Sequence, residues 1–172
     1  GNPGFRTEVY NWVTQGVKLD LAHSVIATPG GSGAVSTAIT TFLDEGQTVI
    51  LPEIAWGSYK LMAAENNIKS VNYQIFDGDR FNFASLRETM ENVSKNQDRL
   101  LIVVNDPCQN PTGYSMDQEE WDTMIDLLNE YGEKMPVILI DDIAYIDYSN
   151  DLAHSRDYMK TFNRISNKVM LT

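Results

Sequence analysis

The run Val137-Ile138-Leu139-Ile140, entered through the helix-breaking Pro136 and closed by Asp141 and Asp142, constrains this chain more than any other stretch. A short apolar run, mostly β-branched and bounded this way, predicts a strand buried on both faces, as in a parallel sheet. In open α/β sheets, ligands bind just beyond the carboxyl ends of such strands. Side chains alternate along extended chain, so one of the two aspartates faces a ligand while the other turns away. The plain alternative is a doublet that opens a solvated loop.

The same pattern recurs along the chain. Residues 99–105 (RLLIVVN) predict a second doubly buried strand, and 47–51 (QTVIL) a third. Strands are also expected at 24–28 (SVIAT), 70–76 and 167–172. Between them apolar residues return at helical spacing: at 6–16, from Val35 through Leu43, at Leu61, Met62 and Ala64, over 83–93, and at Trp121, Met124, Ile125 and Leu128. Asp117 predicts the cap of that last helix, with Glu120 completing a capping box. Residues 151–162 predict a polar surface helix. Strand and helix alternate without internal repeat or linker, which predicts one α/β unit: a three-layer, mostly parallel sheet with helices on both faces. Its 172 residues suffice for one domain with a sizeable core. The turn-rich opening, with neither a capping residue nor a starting methionine, predicts a piece of a longer protein.

Charge narrows the partners. Thirteen basic residues against 24 acidic ones give a net charge of -11, which argues against nucleic acid and anionic membrane surfaces, since phosphate backbones require a basic footprint. No apolar run reaches transmembrane length and no signal segment opens the chain. A lone Cys108 cannot form an internal disulfide, which suits a cytoplasmic setting. Asn92-Val93-Ser94 fits a glycosylation pattern by chance. His23 and His154 have no neighbours at metal-ligand spacing and read as surface histidines.

The remaining features gather at strand ends. Pro29-Gly30-Gly31-Ser32-Gly33-Ala34, between an expected strand and a helix, would present backbone N–H groups and the Ser32 hydroxyl to a phosphate. A rival reading takes Gly31-x-Gly33-x-x-Ser36, with Glu53 closing the next strand, as a dinucleotide fingerprint lacking its third glycine. Trp56 follows a strand end and reads on its own as core, or else as a flat platform for a planar ligand. Asp106-Pro107-Cys108-Gln109-Asn110-Pro111-Thr112-Gly113 is a loop stiffened by two prolines, a good mount for one polar side chain. Cys108 reads as a small buried hydrophobe rather than a nucleophile. Taking Asp141 and Asp142 as magnesium ligands is a third reading, with few other carboxylates at strand ends to support it.

Taken together, Gly31-Ser32-Gly33-Ala34, Trp56-Gly57, Asn110-Pro111-Thr112-Gly113 and Asp142-Ile143-Ala144-Tyr145 resemble, in order and spacing, the fold-type I pyridoxal-phosphate aminotransferases of the aspartate and aromatic amino-acid group. The resemblance implies pyridoxal 5'-phosphate as cofactor, amino acids and 2-oxo acids as substrates, and a homodimer in the full-length form. It implies that Asp142 pairs with the pyridine nitrogen, and that Asn110 and Tyr145 hydrogen-bond the ring's 3-oxygen. Trp56 would stack on the ring, while Gly31, Ser32 and Gly33 hold the phosphate. Gly30 stands where many relatives have a hydroxyl residue, and Tyr59 where the aspartate enzymes carry a histidine behind the pyridine-binding acid. The lysine that forms the Schiff base in that family is expected beyond Thr172. Residues 1–172 are therefore expected to be a partial, cofactor-binding large domain, inactive by itself.

Overall fold

The computed structural model describes residues 2–151 and 154–172. The aspartate-ended run forms strand β6 (Val137–Asp141), hydrogen-bonded between β5 (Leu100–Val104) and β7 (Val169–Leu171). With β1 (Thr48–Pro52) and β2 (Lys69–Tyr73) they make a five-stranded sheet in the order β2-β1-β5-β6-β7, parallel at every pairing. The register sets Leu100 beside Val137 and Val104 beside Asp141, so β5 and β6 end level. A short antiparallel ribbon, β3 (Phe76–Asp77) with β4 (Arg80–Phe81), lies outside this sheet.

Strand periodicity divides the interior into two cores. Ile50, Leu100, Ile102, Val104, Val137 and Leu139 face one side, against α4 (Phe83–Ser94) and α5 (Gln118–Gly132). Val49, Leu51, Leu101, Val103, Ile138 and Ile140 face the other, against α2 (Gly30–Phe42) and α3 (Ser58–Glu65). The three-layer α/β architecture is therefore the expected one. The capping box on α5 forms: Glu120 N donates to Asp117 Oδ1 at 2.9 Å and Asp117 N to Glu120 Oε2 at 2.9 Å.

The chain departs from expectation in four places. The opening is capped after all: α1 (Pro3–Thr14) starts behind Asn2, whose Oδ1 accepts from Gly4 N at 2.8 Å. Residues 24–28 form no strand. A strand needs a neighbour for its backbone N–H and C=O groups, and no strand of the sheet pairs with this segment; Ile26 stands largely in solvent. The expected polar surface helix at 151–162 is instead a 3-10 helix over Asp157–Arg164, two of its expected residues (152 and 153) lying outside the described ones. One face is exposed through Lys160, Asn163 and Arg164, but the other is buried: Tyr158 stacks on the Trp121 ring at 4.8 Å between centroids and Phe162 meets its edge at 5.4 Å. Cys108 is only partly buried and takes φ +61, a turn residue rather than a core one.

Candidate functional site

The level ends of β5 and β6 decide which aspartate does what. Asp141 continues the parity of Val137 and Leu139 and turns toward the α5 side, where its Oδ2 accepts from Tyr158 OH at 3.0 Å. Its Oδ1 is buried without a hydrogen-bond partner. Burial first, then the neighbouring Asp106 carboxyl, raise its proton affinity well above the ordinary carboxylate range. Asp106 is buried too, accepting from Met116 N at 2.7 Å and Trp121 Nε1 at 2.9 Å, and burial pushes it up to about 7.

Asp142 follows Ile138 and Ile140 to the opposite, α2–α3 side. Its Oδ2 accepts from Tyr59 OH at 2.6 Å and its Oδ1 from Ala144 N at 3.1 Å. Tyr59 is buried, and burial together with the Asp142 carboxylate drives its phenol far above its usual proton affinity, so it serves as a fixed donor. Half-exposed, Asp142 keeps lone pairs free for a further partner. The alternation expected of the doublet is what separates them: Asp142 faces the site and Asp141 turns from it.

Around Asp142 the other sequence-chosen residues converge in part. Asn110 Nδ2 lies 3.4 Å from Tyr145 OH, and Tyr145 remains partly exposed. Trp56 is half-buried, its ring edge-on to Tyr59 at 5.6 Å, so that Trp56, Tyr59 and Asp142 form a continuous chain of contacts. Gly31, Ser32 and Gly33 lie in the first turn of α2, whose N-cap Pro29 makes no side-chain capping bond and whose first turn holds no acid. The first N–H groups of such a helix have no intrahelical acceptor and bear partial positive charge. Since α2 leads through a short turn into the start of β1, its amino end lies toward the carboxyl ends of the strands. A Cβ on Gly33 would come within 2.6 Å of Pro29 Cδ, whereas one on Gly31 would meet nothing within 4 Å. The room above Gly31 is open to a ligand.

Two residues that sequence reasoning passed over join these parts. Buried Asn105 accepts from Asn110 N at 2.7 Å and donates to Asp142 O at 2.6 Å. Buried Gln109 donates to Ile54 O at 2.7 Å and accepts from Thr112 N at 3.0 Å. For Asn105 the available signal was an amide side chain directly after a doubly buried strand, where a polar group must find partners. Of the rival dinucleotide residues, Glu53 is exposed past the end of β1.

The model of the family described as aminotransferase class I and II matches residues 1–166. A probable aspartate aminotransferase of Methanocaldococcus jannaschii is 29% identical over 157 residues, covering 90% of this chain and 39% of that protein. An aspartate aminotransferase of Pyrococcus horikoshii is 30% identical over 132 residues, 76% of this chain and 33% of its own length. Among solved structures, an aminotransferase from Anaerococcus prevotii superposes with a TM-score of 0.95 at 31% identity, covering 99% of this chain and 42% of that one. The chain thus spans about two fifths or less of the length of these relatives.

Proposed function

The chain belongs to the aminotransferase class I and II family, and from that premise we propose that it is the cofactor-binding part of a transaminase using pyridoxal 5'-phosphate. One observation carries the reading. At the carboxyl end of β6 a half-exposed carboxylate, Asp142, is held by a buried phenol, with the Asn110 amide and Tyr145 hydroxyl close together nearby. The cofactor needs an acid for its ring nitrogen, donors for its ring oxygen, a flat neighbour and an anion cradle. The residues present fit each need.

When bound, pyridoxal 5'-phosphate supplies an electron sink in its pyridine ring. Asp142 would hold a proton at the ring nitrogen, and Tyr59 would keep that carboxylate aimed. Asn110 Nδ2 and Tyr145 OH would hydrogen-bond the 3-oxygen. Trp56 would cover a ring face and exclude water. The backbone amides at Gly31, Ser32 and Gly33, with the Ser32 hydroxyl, would bind the phosphate at the positive end of α2. The whole protein, on this reading, moves an amino group between an amino acid and a 2-oxo acid as a cytoplasmic homodimer. The residues gathered here include no lysine, so this chain alone would not turn over.

Equilibrium dialysis tests the proposal. The chain should take up pyridoxal 5'-phosphate saturably at one site, and pyridoxal without its phosphate at least tenfold more weakly. Equal uptake of the two compounds, or preferential uptake of a nicotinamide dinucleotide, would overturn it.

A further inference from the structure

Asn110, Asp142 and Trp56 come from three separate segments, yet two buried amide side chains tie them together. Asn105, 5% exposed, sits one residue past β5. Its Oδ1 accepts the backbone N–H of Asn110 at 2.7 Å, and its Nδ2 donates to the backbone carbonyl of Asp142 at 2.6 Å. The orientation of this amide is fixed by its partners, since an N–H needs an acceptor and a carbonyl a donor. Gln109, 3% exposed, repeats the arrangement one step out. Its Nε2 donates to Ile54 O, two residues before Trp56, at 2.7 Å, and its Oε1 accepts Thr112 Oγ1 at 2.6 Å. Its backbone closes the loop as well, through Gln109 N to Tyr114 O at 2.8 Å and Gly113 N to Gln109 O at 2.6 Å.

We infer that Asn105 and Gln109 are positioning residues that hold Asn110, Asp142 and the Trp56 segment in one frame. This inference rests on the cofactor reading above. Neither amide need touch the cofactor. Each donates one bond, Asn105 accepting one and Gln109 two from Thr112, in a buried setting where an unmatched group carries its full desolvation cost. Asn105→Asp keeps the acceptor for Asn110 N and sets a carboxylate oxygen against the Asp142 carbonyl. Gln109→Glu does the same against the Ile54 carbonyl. Each isostere cuts one tie and leaves shape unchanged.

Gln97, a partly buried amide far from the site, provides the control. It clamps the opposite, amino-terminal ends of β1 and β5, accepting Thr48 N at 2.8 Å and donating to Thr48 O at 3.1 Å and Arg99 O at 2.8 Å. Gln97→Glu should lower thermal stability by a similar route without touching the site. Cofactor affinity of the four proteins, measured by equilibrium dialysis below their melting temperatures, separates positioning from plain stability. Asn105→Asp and Gln109→Glu should each weaken pyridoxal 5'-phosphate binding about tenfold or more, equivalent to about 1.4 kcal/mol, while Gln97→Glu stays within about twofold of the parent. Unchanged affinity in both site variants, or an equal loss in Gln97→Glu, would overturn the inference. Should one site variant fail to fold, the other decides.

Isotope-edited NMR reads the frame without cofactor. Asn105→Asp should shift the Asn110 amide and the Asp142 carbonyl signals together; a change confined to position 105 would overturn the inference. If the parent chain takes up no cofactor, the cofactor reading fails and these shifts alone decide whether the frame exists.

Discussion

Replacing Asp141 by asparagine should stabilise the protein increasingly as pH rises. Asp141 is buried with Oδ1 unpartnered, and burial beside Asp106 keeps its proton on well above the pH at which an ordinary carboxyl loses it. In the unfolded chain the same group ionises near pH ~3.9. Between those limits the folded state binds one proton more than the unfolded state, so stability falls with rising pH by about 1.4 kcal/mol per unit for this group. It is fully present below pH ~3.9 and lost as the pH climbs toward the folded value. Asparagine is neutral throughout and can still accept from Tyr158 OH, its other end lacking a partner as Oδ1 does now. The variant should therefore gain on the parent progressively as the pH rises above about 4, by no more than about 1.4 kcal/mol per pH unit. Asp106, raised to about 7, tilts both proteins the same way. Asp98, exposed, and Asp157, partly so, are lowered by hydrogen bonds from Arg99 and Lys160 and tilt both slightly the other way. Urea midpoints at four pH values between 4 and 7.5, at constant m, measure the divergence. Parallel curves, or a parent that gains on the variant with pH, would refute the protonated, buried Asp141.

Asp142→Ala should reduce pyridoxal 5'-phosphate affinity by at least tenfold while the far-ultraviolet circular dichroism is unchanged, whereas Asp141→Asn should leave affinity within about threefold; the reverse ranking in a dialysis assay would mean that the wrong carboxylate faces the site. Gly33→Ala should cost about 1–3 kcal/mol of stability, because its methyl group would press on Pro29 Cδ. Gly31→Ala should leave thermal stability within about 0.5 kcal/mol yet weaken phosphate-dependent binding, its methyl occupying space open to a ligand. Calorimetry alongside dialysis separates the two. Sedimentation of the isolated chain should detect self-association, since Met170 and the outer edge of β7 carry no partner strand among the described residues.

Most of the fold was legible because strands buried on both faces cannot hide: 99–105 and 136–142 carry runs of apolar residues that no surface element tolerates, and β5 and β6 formed within a residue or two of expectation. The capping box at Asp117 and Glu120 is a local signal and was read as such. Residues 24–28 have strand composition too, but pairing is not a local property, and composition cannot say whether a neighbour exists. The stretch 151–162 misled for the opposite reason. Its charges are plain, while the burial of Tyr158 and Phe162 depends on Trp121, more than 30 positions away.

The aspartate doublet condenses both lessons. Two identical residues in adjacent positions differ in role only because the strand sends them to opposite faces of the sheet. Toward α2 and α3, Asp142 meets a buried hydroxyl and an open approach. Toward α5, Asp141 meets Tyr158 and another carboxyl in a dry interior. Strand parity was readable from sequence, yet which parity faces the ligand depends on where α2 and α3 pack. The amides of Asn105 and Gln109 lie further from sequence reading still. Their roles depend on backbone atoms of residues 54, 110 and 142, and any sequence places some backbone there. A side chain that recognises a partner's side chain leaves a trace in composition, but one that holds backbone leaves only an unexplained polar residue beside a buried strand. Such residues are where a search for positioning groups in chains of this architecture should begin.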